Sequence, residues 1–312
     1  MTRPNSILIL GAAGRFGRHA AAEFAQAGWQ VRALVRPGRA AIPGIATVHG
    51  DAEDAAALTR AAMGVDVIVQ AVNPPYPDWA AHVPRQTAAA IAAARASGAT
   101  LMVPGNVYPY GPDMPPVLTQ TTPHAGATGK PLIRKTMEAA LRAACKDGMR
   151  CILLRAGDFI DDRPSGNWFE SHIAARVGKG RIAYPGPRDQ VHAWAYLPDM
   201  ARAARMLAER RETLPPFAAF GFPGYALTGD ALIALCAEAA GHPMRATRFP
   251  WAILRAAALV SPMMREVLEM RYLWHRPHRI DGALLAAALP DFAPTPARVA
   301  IAASVAGIAQ AA

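Results

Sequence analysis

Cysteine is scarce in this chain: Cys145, Cys151 and Cys236 are the whole complement. They form no C-x-x-C pair and no metal-ligand spacing, and an odd number does not suit a disulfide framework. A reducing setting and a cytoplasmic location are therefore expected. Lysine is almost absent, occurring at Lys130, Lys135, Lys146 and Lys179, and the arginines are scattered in ones and twos. Without a basic run or docking motif, the formal net charge of +10 is read as compositional bias, and no nucleic-acid partner is expected. Long apolar runs are also missing. The patches at 252–260 and 299–309 fall short of the roughly 20 residues needed to cross a bilayer, and Arg255 interrupts the first. Both are expected to be packed helices, with no membrane partner. The first apolar run begins at Ile7 after a short polar start, so no secretory leader is expected. No H-E-x-x-H, paired-cysteine or carboxylate cluster suggests a metal.

With 52% apolar and 18% charged residues over 312 positions, the composition is that of a compact chain with room for two lobes. Short β-branched runs at 6–10, 30–35, 46–49, 67–71, 100–103 and 150–155 alternate with alanine-rich helical stretches at 16–27, 55–62, 85–97 and 131–146. That rhythm predicts β-α-β units and a doubly wound parallel sheet of the Rossmann kind. Two segments break it. Residues 104–129 are rich in proline, glycine and threonine and follow a strand, which places a long functional loop beside the site. From Phe217 onward the pattern becomes helix-rich and irregular, with many prolines. The expected division is an α/β nucleotide-binding domain at 1–160, to which 188–212 returns, and a smaller, mostly helical substrate lobe at 213–312 joined by 161–187.

The strongest chemical signal is Gly11-Ala-Ala-Gly14-Arg15-Phe16-Gly17, directly after the first strand and opening the first helix. In this G-x-x-G-x-x-G spacing Gly11 permits the tight turn, Gly14 lets backbone approach a pyrophosphate, and Gly17 allows close helix-to-strand packing. The helix N-terminus then faces the anion, which predicts a bound dinucleotide. At the end of the second strand, where an acidic residue would select NAD, the chain carries Arg36. Arg15 and Arg39 could complete a clamp on an extra phosphate, so NADP is the expected cofactor and NAD the alternative.

These motifs resemble the short-chain dehydrogenase/reductase superfamily, in the extended or atypical branch that includes epimerase/dehydratase-like and NmrA-like proteins. Further matches are His49-Gly50-Asp51, Ala71-Val72-Asn73, the run from Leu101 through Val103-Pro-Gly-Asn106-Val-Tyr108-Pro-Tyr110-Gly111, Ile152-Leu-Leu-Arg-Ala-Gly-Asp158, and Ala193-Trp-Ala-Tyr-Leu-Pro-Asp199. The resemblance covers about the first two hundred residues. It implies cofactor contacts at Gly11, Gly14, Arg15, Phe16, Gly17, Arg36, Asp51, Ala52, Ala71 and Asn73, with Asp51 at the adenine amino group.

The family's Tyr-x-x-x-Lys pair is absent, since no tyrosine here has a lysine four residues on. Two alignments of the matching helix exist. If Lys130 takes the tyrosine position and Arg134 the lysine position, Glu138, Leu141 and Cys145 continue one stripe beside the apolar face. If Lys135 were the functional lysine, Pro131 would replace the tyrosine and the face would be a solvated flank. The first is preferred. Arg134 could hold ribose hydroxyls but cannot deprotonate, while Lys130 could act as acid or base only if desolvation or neighbouring cations tuned it. On the loop, Asn106 stands near the family's serine position, and Tyr108, ahead of Tyr110, is the preferred phenol beside the nicotinamide. His124, Asp158 and His192 are weaker leads, and Asp199 reads as an N-cap for a helix beginning at Met200. Trp251, Met263, Met264, Met270, Tyr272 and Trp274 read as helix core rather than a pocket lining.

Two functions are compatible with this pattern. One is an NAD(P)-dependent oxidoreductase or epimerase/dehydratase-like enzyme transferring hydride on a carbonyl or hydroxyl compound, with a small-molecule substrate and a homodimer allowed. The other is a non-catalytic NADP(H)-binding redox sensor or regulator of NmrA-like type.

Overall fold

The computed structural model of the chain describes residues 3–311. Strand and helix alternate through its first half: β1 (Ser6–Leu10), α1 (Arg15–Gln26), β2 (Gln30–Val35), β3 (Ala46–His49), α2 (Ala55–Ala62), β4 (Val67–Gln70), α3 (Trp79–Ser97), β5 (Thr100–Gly105), the short β6 (Val117–Leu118), α4 (Gly129–Lys146) and β7 (Cys151–Arg155). There follow β8 (Asp158–Ile160), β9 (Arg181–Tyr184), β10 (Val191–Tyr196), α5 (Leu197–Glu209), β11 (Phe217–Gly221), β12 (Tyr225–Thr228) and α6 (Gly229–Ala240). The chain ends through β13 (Arg245–Arg248), α7 (Trp251–Ala257), α8 (Pro262–Glu269), β14 (Arg279–Ile280), α9 (Ala283–Ala288) and α10 (Ala297–Ala311).

Seven strands form one parallel sheet in the order β11-β7-β5-β4-β1-β2-β3, the doubly wound arrangement that the alternation predicts. A strand's side chains alternate between faces, and both faces here are covered. Leu8, Leu10, Leu34, Ile68, Leu101 and Leu153 pack under α2, α3 and α4. Ile7, Ile9, Val67, Met102, Ile152 and Leu154 pack under α1 and α5 on the other side. A third apolar cluster, built around Phe169, Trp194, Leu232, Trp251, Trp274 and Ile301, sits beyond the carboxyl edge in the later elements. All the cysteines are buried and free.

Four expectations shift on contact with the structure. The helix expected at 85–97 begins at Trp79, before Pro84. Burial of Trp79 and Val83 in the core holds the extra turn, although the proline removes one hydrogen bond from it. Phe217–Gly221, expected in the lobe, is the edge strand of the main sheet beside β7, because Ala218 and Phe220 complete the face under α5. Val191–Tyr196, expected to return to the nucleotide-binding domain, instead pairs with β8 and β12 in a separate sheet, and only α5 after it packs on α1. Asp199 is no N-cap. The helix starts at Leu197, and the buried Asp199 carboxylate accepts from Thr295 N at 2.6 Å and Thr295 Oγ1 at 2.8 Å, tying α5 to the carboxyl-terminal segment.

Candidate functional site

The glycine loop is closed by Gly14 N–H donating to the Gly11 carbonyl at 2.8 Å. Gly11 has φ +83°, and a Cβ placed on it would lie 2.9 Å from the Ala71 backbone; one on Gly17 would lie 2.1 Å from the Gly11 oxygen. Only hydrogen fits at either place, so the first turn of α1 sits tight against the ends of β1 and β4 and leaves its amides free at the sheet edge. Such a cradle suits a pyrophosphate. Phe16 is buried beneath the loop, in the cluster under α5.

The three arginines of the expected clamp part company. Arg36 and Arg39 are exposed just beyond β2. Arg15 instead donates to the carbonyls of Ser165 (2.9 Å) and Gly166 (2.5 Å). Beside it Arg18 and His19 hold Asp161, at 2.6 and 2.7 Å, so the segment after β8 is fastened to the start of α1. Asp51 is exposed next to this edge, its carboxylate turned back to accept from Glu53 N at 2.9 Å, and Ala52 is buried.

Around the ends of β4, β5 and β7 the structure gathers most of the other named residues. Asn73 accepts from Arg134 Nη2 at 3.2 Å, and the Arg134 guanidinium lies 4.4 Å from the ring centre of Trp79. Burial lowers the Arg134 pKa, and the nearby Tyr108 and Glu138 oppose that shift. Tyr108 stacks on Trp79, with ring centres 6.0 Å apart, and its hydroxyl shares a 2.8 Å hydrogen bond with that of Tyr76. Burial raises both phenols above their ordinary range, Tyr108 most strongly. They therefore remain neutral donors at physiological pH. Asn106 does not reach outward: its side-chain oxygen accepts from Tyr108 N at 3.1 Å and sets the turn that aims the tyrosine.

Lys130, which the sequence reading aligns with the tyrosine position, is almost fully buried. Its ammonium is paired with Glu266 and Glu269 of α8 and lies 5.1 Å from the ring centre of Tyr76, while its backbone N–H donates to Glu269 at 3.0 Å. The helix that carries the motif is thus clasped to the lobe. Tyr76, Trp79, Glu266 and Glu269 escaped the sequence reading. Tyr76 had a local signal, since it sits in the Asn73-Pro-Pro-Tyr-Pro turn at the end of β4; the glutamates, far along the chain, had none.

Two turns further along α4 from Lys130, Glu138 receives both arms of Arg155, at 2.9 and 2.6 Å, inside the protein. Arg155 also donates to the Asn106 carbonyl and lies 4.9 Å from the ring centre of Tyr110. His124 stands 3.6 Å from Glu138, against this pair rather than in the open loop. Asp158 and His192 meet at 2.7 Å, and His192 lies flat on Trp274 with ring centres 4.3 Å apart. Trp251, Met270 and Trp274 are core, as expected, and Met263 and Met264 are half-buried. Tyr272 Oη and Arg134 Nε, both near Tyr76 and Tyr108, are buried without a hydrogen-bond partner among the described residues.

His278 is buried against His192, and burial lowers its pKa from 6.5 to about 3. Its sign is clear: between these values the unfolded chain takes up a proton that the folded chain refuses. Stability should fall as pH drops below about 6.5, by thermal melts taken from pH 7.5 to 4.5. His278→Gln should flatten that acid limb, and an unchanged limb would show that other groups govern it.

The class defined by this fold is the doubly wound α/β type, with a glycine loop opening its first helix. Comparison agrees: residues 3–115 match the NmrA-like family model. The whole chain resembles a nucleoside-diphosphate-sugar epimerase from Pseudomonas aeruginosa, with a TM-score of 0.76, 18% identity and 98% of each chain covered. It is similar also to the UDP-glucose 4-epimerase of Bifidobacterium longum, solved with NAD+ and UDP, at a TM-score of 0.74, 16% identity and 98% coverage of both chains. An enzyme of Bordetella bronchiseptica solved with NAD+ gives a TM-score of 0.74 at 15% identity over 99% of each chain. No curated protein matches the sequence. Among the described residues no helix is long and apolar enough to cross a membrane.

Proposed function

We propose that this chain binds a nicotinamide dinucleotide, preferring NADP(H), and uses it in an oxidoreductase or epimerase/dehydratase-like reaction on a small carbonyl or hydroxyl compound. The observation that carries the reading is the crowded glycine turn beneath the α1 terminus, with the exposed guanidiniums of Arg36 and Arg39 at the end of the neighbouring strand. In this reading Gly11, Gly14, Gly17, Ala71 and Asn73 line the binding edge, and Arg134 holds ribose hydroxyls. Solved proteins of this fold that bind NAD+ and UDP-sugars give the substrate class to try first. When bound, the nicotinamide supplies or accepts hydride. The residues of the chain do the rest: the neutral Tyr76–Tyr108 pair donates a hydrogen bond toward a substrate oxygen, and Asn106 and Arg155 hold the loop that aims it.

Fluorescence titration tests the cofactor preference. Arg36→Asp should weaken NADPH binding about ten-fold or more while leaving NADH within about two-fold, because it replaces a phosphate partner by a like charge. Equal loss for both would remove the clamp. A second reading, the NADP(H)-dependent regulator, is favoured by Lys130, whose ammonium is committed to Glu266 and Glu269 and is not open as an acid or base. Incubation with NADPH and a panel of aldehydes, ketones and nucleotide sugars separates the two. Turnover supports the enzyme; tight NADPH binding without turnover supports the regulator.

A further inference from the structure

Residues 252–260, expected to be a packed helix, form α7 and the start of a hairpin with α8 of which only the inner side is packed. Trp251 Nε1 donates to the Pro185 carbonyl at 2.7 Å, and the α8 glutamates clasp Lys130. On the outer side Ile253 is 68% exposed, and at the connector Leu259 and Val260 reach 82% and 86%. The tip is held out by its own bonds rather than left loose: Ser261 Oγ caps α8 through Met264 N, and Arg265 donates to the Ala258 carbonyl at 3.1 Å. Contiguous exposed aliphatic side chains on a projecting turn are uncommon on a free-standing surface and mark a contact.

The charge around the tip narrows the partner. Residues 242–265 contain no aspartate or glutamate, and the next acids, Glu266 and Glu269, are tied to Lys130. Arg255, one turn before the aliphatic connector, and Arg265, bonded to it, are both exposed. A second copy of the chain would have to bring these arginines against their own images across a two-fold axis, with no acid on the patch to receive them. An aliphatic tip flanked by two guanidiniums instead matches a soft, anionic layer: side chains enter the acyl boundary while arginines remain among the headgroups. We propose that the α7–α8 hairpin docks the protein peripherally on a bilayer surface rich in anionic lipid. The proposal is independent of the dinucleotide reading and involves no membrane-spanning segment.

Co-sedimentation of the full chain with vesicles provides the test, comparing phosphatidylcholine alone with phosphatidylcholine mixed with phosphatidylglycerol. The wild-type chain should sediment with the mixed vesicles, far less with the neutral ones, and release as salt is raised. Arg255→Gln should weaken partitioning about five-fold. The double substitution Leu259→Asp, Val260→Asp should weaken it by about ten-fold or more, with Tm and NADPH binding unchanged because both side chains lie in solvent. Equal binding to both vesicle types, no binding, or retention by the aspartate variant would each overturn the proposal. Concentration-dependent dimers that the aspartate variant disperses, without vesicle binding, would assign the tip to a second copy instead.

Discussion

Glu138→Ala is expected to destabilise the chain by about 3–5 kcal/mol, the loss that follows when one partner of a buried ion pair is removed. The Glu138 side chain is 2% exposed and that of Arg155 8%, so water cannot take the carboxylate's place. Burial alone would make the Arg155 guanidinium shed its proton more readily; the Glu138 charge and hydrogen bonds more than offset this, and the net shift is upward. Removing Glu138 leaves the cation with the Asn106 carbonyl, the His124 ring at 3.5 Å and the Tyr110 ring. A Tm fall of about 10 °C by differential scanning calorimetry is expected. Glu138→Leu combined with Arg155→Met should recover most of it, since replacing both members of a buried pair by apolar groups of similar size is nearly neutral. A change below about 1 kcal/mol in the single variant would mean that solvent reaches the pair. The effect should also reach the site, because Arg155 holds the carbonyl of Asn106, and Asn106 sets the turn beneath Tyr108.

Whatever was legible in the sequence was local. The strands at 6–10, 30–35 and 46–49 and the helix at 55–62 follow the hydrophobic period to the residue, because each buries its apolar side against the same sheet. Glu138 could be seen as a member of the Lys130–Arg134 stripe, but not as the partner of Arg155, since nothing in a helical repeat announces which strand end it faces. The same limit explains Asp158 and His192, lone leads at 34 residues' separation that the structure brings to 2.7 Å. Lys130 shows the limit most sharply. Its position on the helix was readable, yet its chemistry is set by Glu266 and Glu269 from a hairpin more than a hundred residues away. Arg15 lies in the glycine motif and looks like a phosphate ligand until the carbonyls of Ser165 and Gly166 claim its guanidinium. Spacing identifies which residues share a face; long-range partners decide what charge and access each one keeps.

The glycine turn gives the second large effect. Gly17→Ala is expected to cost about 3 kcal/mol or more, at the upper end for an inserted methyl, because the new Cβ would meet backbone rather than a yielding side chain. It would fall 2.1 Å from the Gly11 oxygen, 2.8 Å from the Gly11 carbonyl carbon and 2.9 Å from Ala12 Cα. Relief requires α1 to withdraw from the loop, which moves the free amides of its first turn away from the position they share with the end of β1. Any pyrophosphate held there loses several hydrogen bonds together, so NADPH affinity should drop about 100-fold, or roughly 2.7 kcal/mol. Gly98→Ala is the control. Unlike Gly17, that residue has a positive φ, +72°, and an added Cβ finds nothing within 4 Å. Its cost should be the backbone strain alone, about 1–2 kcal/mol, with dinucleotide binding intact. Isothermal calorimetry and thermal melts on the two variants distinguish a general loss of stability from a lost cradle. If Gly17→Ala binds NADPH as the wild type does, the amides at the opening of α1 do not hold the diphosphate, and the functional reading built on them has no anchor.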